Sequence, residues 1–107
     1  MFTPVNLIPM TPPLSSQLTT ALQRYFAQQP VERVYIFGSI ARGDDTEQSD
    51  LDLLVEFAQG ATLFDQARMS WQLEDLLHRK VDVIAEKGVS KYIRPFINQD
   101  RILVYEK

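Results

Sequence analysis

Cysteine is absent from the 107 residues. That excludes a disulfide frame, a thiolate zinc site and a thiol nucleophile. A surplus of positive charge is absent too: 11 Lys and Arg stand against 14 Asp and Glu, with a net charge of −3 and a pI near 5.0. Duplex nucleic acids are bound chiefly through Lys and Arg that neutralise phosphates, so no broad nucleic-acid face is expected. No uncharged apolar run approaches the roughly 20 residues a membrane span needs. The first residues, "MFTPVNLIPMTPPL", lack the basic start and long apolar stretch of a secretory signal. These absences leave a soluble, cytoplasmic protein as the expectation. The length suits one compact domain, and an apolar content of 45% is enough for a core.

Four prolines fall within residues 1–13: Pro4, Pro9, Pro12 and Pro13. Proline fixes φ and donates no backbone hydrogen bond, so this segment reads as an extended arm ahead of a single domain over 14–107. Leu14, Leu18, Leu22 and Phe26 make one apolar stripe of a helix, with Ser15 or Ser16 available as its cap. "VERVYIF" (31–37) reads as a strand between Pro30 and Gly38. A turn at Gly38-Ser39 leads into the short helical "SIAR", and "GDDTEQS" (43–49) is loop by composition. "DLDLLVEF" (50–57) is a second strand. Thr62 and Asp65 form a capping-box-like start for a helix from about 63 to 78. Its core side is expected to carry Phe64, Ala67 and Trp71, and later Leu73, Leu76 and Leu77. His78, Arg79 and Lys80 would close it, His78 as a capping cation rather than a ligand. "VDVIA" (81–85) is a third strand and Glu86-Lys87-Gly88 a turn. A last helix covers roughly 90–98, and "RILVY" (101–105) is a short strand or helix. Strands alternating with helices argue for an α/β layer fold.

The run "IFGSIARGDDTEQSDLDLLVEF" (36–57) sets a turn suited to phosphate beside six acids: Asp44, Asp45, Glu47, Asp50, Asp52 and Glu56. Asp44, Asp45 and Glu47 read as a solvated loop. Asp50 and Asp52 are different, because they occupy alternate positions of an otherwise apolar strand. Ionised carboxylates there are costly unless paired or bound to a metal. Asp82 repeats the pattern inside "VDVIA", and neighbouring strands would let it face Asp50 and Asp52. Three carboxylates without His or Cys favour a hard, oxygen-loving ion, Mg²⁺ or Mn²⁺. The acids would then hold a metal, and the metal a phosphate whose other oxygens Gly38 and Ser39 grip. Other phosphate and metal motifs fail. Asp44-Asp45 stands where a P-loop needs Lys-Ser/Thr. "GSIARG" lacks the middle glycine of a dinucleotide turn. The acidic run has no EF-hand ligand series.

"FGSIARGDDTEQSDLDLLV" followed by "VDVI" resembles the nucleotidyltransferase superfamily of DNA polymerase β and kanamycin nucleotidyltransferase. The matched pattern is Gly-Ser, a short spacer with Gly, Asp-x-Asp on a strand, and a third carboxylate on a later strand. The "GSxARGD" form, the "TLFD" helix start and the ending "IRPFINQDRILVYE" are more similar still to the minimal nucleotidyltransferases, the antitoxin partners of HEPN toxins. The resemblance runs from about residue 14 onward. It implies the polymerase β-like fold, a small mixed β-sheet flanked by helices. It also implies transfer of AMP from ATP to a tyrosine of a HEPN-type toxin, blocking that toxin's RNase activity, within a hetero-oligomer. Carried over residue by residue, Asp50, Asp52 and Asp82 would be catalytic and metal-ligating. Gly38, Ser39, Arg42 and Gly43 would bind the nucleotide, and Gly38→Val should impair ATP use while sparing most of the fold.

Only about 20 residues follow Val83-Ile84-Ala85, too few for a second domain that encloses nucleic acid, so the acceptor must bring its own binding surface. A second reading is a binding antitoxin that occludes its toxin without catalysis. A third is nucleotidyl transfer to a small molecule or an RNA end.

Overall fold

A computed structural model describes residues 15–44, 46 and 49–107. The proline-rich arm, Leu14, Asp45 and Glu47 lie outside the described residues. The element order is α1 (Ser16–Phe26), β1 (Val31–Phe37), α2 (Ser39–Arg42), β2 (Leu51–Phe57), α3 (Leu63–Leu77), β3 (Val81–Ala85), a single 3-10 turn (Glu86–Gly88), α4 (Arg94–Asp100) and β4 (Ile102–Glu106). The terminal "RILVY" segment is therefore a strand. The last helix begins later than its sequence suggested, after a turn held by Ser90, whose hydroxyl accepts the Tyr92 N–H at 3.1 Å.

The four strands form one mixed sheet in the order β3-β2-β1-β4. β1 pairs antiparallel with β2 and β4, and β2 pairs parallel with β3. Alternation sends Leu51, Leu53 and Val55 of β2 to one face, where they join Val34, Ile36, Val81 and Val83. Leu22 and Phe26 of α1 and Met69 and Leu73 of α3 close over that face as the main core.

The other face is ordered in three rows, because residues directly opposite across strands share a face. Asp82, Asp52 and Phe37 form the first row. Ile84, Leu54, Tyr35 and Leu103 form the second. Glu56, Arg33 and Glu106 form the third, and there Arg33 bonds Glu56 at 2.7 Å and Glu106 at 2.8 Å. The middle row is apolar. Leu54 within it is buried, and the Arg101 guanidinium lies 4.4 Å over the Tyr35 ring.

The expected core side of α3 is corrected by the structure. Phe64 is 86% exposed and Trp71 62%, while Ala67 and Leu76 also face solvent. Leu73 is buried as expected, Leu77 packs on the core, and the unexpected buried residue is Met69. The cause is the edge of the sheet. β3 is an edge strand, whose unpaired backbone groups need partners. Gln66 donates to the Val83 carbonyl at 2.8 Å, Ser70 to the Val81 carbonyl at 3.1 Å, and Glu74 accepts the Val81 N–H at 3.1 Å. These polar residues recur every fourth position, so satisfying β3 sets the rotation of α3. The stripe Phe64, Ala67 and Trp71 is thereby turned outward. The other edge has a similar clasp: Gln23 of α1 donates to the Val104 carbonyl of β4 at 3.2 Å.

Both helix caps read from the sequence are formed. The Ser15 hydroxyl accepts the Leu18 N–H at 3.0 Å. Thr62 and Asp65 make the reciprocal capping box. His78 ends α3 in the left-handed region at φ 57°, so its role as terminator is a backbone role.

Candidate active site

The end of the sheet nearest the acidic row is built by three short pieces of chain. β1 stops at Phe37, and Gly38 turns the backbone into α2. Gly38 has φ 79° and ψ −154°, a region open essentially to glycine alone. Any β-carbon there would also overlap Asp52 Oδ2. The turn thus lies directly against the carboxylate of the neighbouring strand. A substitution such as Gly38→Val would strain the backbone and displace the Asp52 carboxylate, a local cost added to any effect on ATP use.

Asp52 and Asp82 sit opposite one another on the parallel pair β2–β3, as their place in two apolar strands suggested. Their carboxyl groups interact. Burial, then the charges of Asp82 and Asp50, then a hydrogen bond with Asp82, push the Asp52 carboxyl up from 3.8 to about 6. Arg42 opposes this with its positive charge. Asp50 lies just ahead of β2 and is exposed. Among the described residues no three acids or histidines are gathered to metal-binding spacing. The paired unit is Asp52–Asp82; Asp50, expected within β2, precedes that strand and acts on Asp52 through its charge.

The remaining sequence candidates divide by what they touch. Ser39 begins α2 and is half-buried; its hydroxyl makes no hydrogen bond among the described residues. Gly43 closes α2 in the left-handed conformation at φ 80°, donating its N–H to the Ile40 carbonyl, which accounts for that glycine structurally. Arg42 is exposed and bonds Asp44 at 3.3 Å and Asp100 at 3.1 Å. Glu56, the last acid of the run, belongs to the Arg33 row at the far end of the strand. Asp100 carries no local signature, because it reaches Arg42 across 58 residues of sequence.

This arrangement is a compact anionic pair facing a glycine turn, with one arginine beside it. Such a set can hold a hard divalent cation and accept a proton. The absence of His and Cys among the donors suits an oxygen-seeking ion.

Comparison with known proteins gives the family. Residues 15–104 match the nucleotidyltransferase domain family. The chain is 41% identical over 73 residues to the candidate protein adenylyltransferase MJ0435 of Methanocaldococcus jannaschii, covering 68% of this chain and 73% of that one. It is 30% identical over 74 residues to the protein adenylyltransferase MntA of Thermococcus cleftensis, covering 69% and 75% respectively. A solved candidate minimal nucleotidyltransferase superposes with a TM-score of 0.71 at 41% identity, over 80% of this chain and 88% of its own. The fold recurs in a tri-AMPylated Shewanella oneidensis HEPN toxin in complex with its MNT antitoxin, with a TM-score of 0.62 at 18% identity over 87% of this chain and 74% of that one. With its glycine turn, its paired strand carboxylates and its mixed sheet, this chain belongs to the nucleotidyltransferase family, as a minimal nucleotidyltransferase of polymerase β-like fold.

Proposed function

We propose that this chain moves AMP from ATP to a tyrosine hydroxyl of a HEPN-type RNase toxin and so acts as that toxin's antitoxin. The observation that carries the reading is the Asp52–Asp82 pair set directly against the Gly38 turn. The Thermococcus relative, a protein adenylyltransferase, and the AMPylated toxin in the Shewanella complex support the same acceptor class. A related toxin–antitoxin structure holds AMP-PNP, which supports ATP as the donor.

Asp50 and Asp52 would hold Mg²⁺ or Mn²⁺, with Asp82 completing the set. A bound divalent ion supplies charge neutralisation at the phosphates and at the phosphorus under attack. The residues of the chain do the rest. The Ser39 hydroxyl is available to donate to a phosphate oxygen, and Gly38 lets the backbone approach closely. Arg42 brings a charged planar donor to the same oxygens. The tyrosine oxygen forms a bond to the α-phosphorus, the bond from that phosphorus to the bridging oxygen breaks, and pyrophosphate leaves. The hydroxyl proton passes to Asp82, which lies opposite Asp52 on β3 and acts as general base.

The test is incubation of a HEPN-type partner with the protein, ATP and Mg²⁺, followed by intact mass measurement. A mass gain of one or more AMP units on the partner is expected. Asp82→Asn should still bind Mg·ATP and the partner, yet transfer slower by roughly 10²-fold or more, the scale of lost general-base help. Neutralisation of the toxin without any mass gain would establish the occluding antitoxin instead.

A further inference from the structure

Arg42 has two acidic partners, and they are not equivalent. Asp44 is two residues away in a loop, and its side chain is 62% exposed. Asp100 comes from the far end of the chain, its side chain is only 25% exposed, and it stands at the last position of α4. A carboxylate at a helix C-terminus is opposed by the helix dipole, so this placement needs a compensating cation, and Arg42 supplies it. The sheet explains how the two meet. Ile36 pairs with Ile102 in the β1–β4 ladder, so the residues beyond that pair, the Gly38 turn on one strand and Asp100 on the other, come side by side. Arg42 uses Nε on Asp44 and Nη1 on Asp100, and its Nη2 group makes no hydrogen bond among the described residues. Asp44 and Asp100 therefore hold the guanidinium from two different sides, through Nε and Nη1, and leave the Nη2 N–H donors between them without a partner among the described residues. The positive charge of Arg42 is one of the influences on the Asp52 carboxyl, opposing its rise, so the guanidinium belongs to the same end of the sheet as the anionic pair.

We propose that Asp100 is a positioning residue for nucleotide binding: it holds the Arg42 guanidinium so that Nη2 faces the phosphates. The inference rests on the reading of Arg42 as a phosphate ligand and adds to it the C-terminal α4–β4 segment as a part of the nucleotide site. Without Asp100 the arginine keeps its charge but loses its orientation, and a planar fork must be oriented to bind. The effect falls on binding of ATP, not on the chemical step, because Asp100 acts only through Arg42.

Steady-state kinetics of adenylyl transfer at varied ATP, in the intact protein, tests this with Asp100→Ala, Asp100→Asn, Arg42→Ala and the double variant Arg42→Ala/Asp100→Ala. Asp100→Ala is expected to raise KM for ATP about 5-fold, the upper range for one partly exposed ion pair, with kcat within 2-fold of wild type. Asp100→Asn, which keeps an acceptor oxygen, should recover part of the loss and serves where the alanine variant folds poorly. In the Arg42→Ala background, Asp100→Ala should have no further effect. A raised KM in Arg42→Ala but not in either Asp100 variant would overturn the positioning role while leaving Arg42 as a ligand. An unchanged KM in Arg42→Ala would remove Arg42 from the nucleotide site and this inference with it. Equal losses for Asp100→Ala with and without Arg42 would also overturn it.

Discussion

Asp52 is held in a state that the fold itself resists, and replacing it measures that resistance. Its carboxyl is raised from 3.8 to about 6 by burial, by the charges of Asp82 and Asp50 and by the hydrogen bond with Asp82. One pKa unit corresponds to about 1.36 kcal/mol, so the full shift is worth about 3 kcal/mol. Solvent screening at a half-buried group lowers this to about 1–1.5 kcal/mol. The folded value lies above the unfolded one, so between them the folded protein binds more protons, and stability falls as pH rises through that window. The cost is absent below about pH 4 and fully present above about pH 7. Asp52→Asn removes the charge, keeps the shape and can still hydrogen-bond Asp82. In metal-free buffer with chelator near pH 7.5, its melting temperature is therefore expected to exceed wild type by about 4–8 °C, the shift that about 1 kcal/mol produces in a domain of this size. Near pH 4 the two proteins should melt together. Circular dichroism melts at both pH values decide. A variant no more stable than wild type at pH 7.5, or a gain that persists unchanged at pH 4, refutes the account of Asp52 as an ion held against burial and like charge.

Gly38→Ala forces a side chain into a glycine-only conformation and against Asp52. It should cost roughly 1–3 kcal/mol of stability and weaken ATP binding measured by calorimetry. Thr62→Ala removes the α3 cap and should cost about 1 kcal/mol in urea unfolding, since its hydroxyl accepts the Asp65 N–H at 3.3 Å. Phe64→Ala should change unfolding free energy by no more than about 0.5 kcal/mol, as for surface positions generally, whereas a core role for Phe64 would show as a loss of about 3–5 kcal/mol.

The helix and strand framework was readable in the sequence because its signals are local. "VERVYIF" and "VDVIA" coincide with β1 and β3, and the Ser15 and Thr62 caps act within three residues. The acids of the candidate site were readable for a related reason. A carboxylate inside an apolar strand conflicts with its surroundings, and Asp52 and Asp82 each show that conflict in their immediate neighbours.

Three features came only with the tertiary structure. The outward turn of Phe64 and Trp71 depends on where β3 lies, because α3 rotates to bring Gln66, Ser70 and Glu74 onto that edge strand. The need for glycine at position 38 comes from the Asp52 carboxylate on the next strand as much as from the turn. The link from Arg42 to Asp100 spans 58 residues and exists because β4 pairs beside β1. Helical periodicity reports that a face is apolar but not which face meets the sheet, and no local pattern records a partner that only strand order brings near. Propensity and patterning act over a few residues, whereas the pairing of strands decides which distant charges share one end of the sheet.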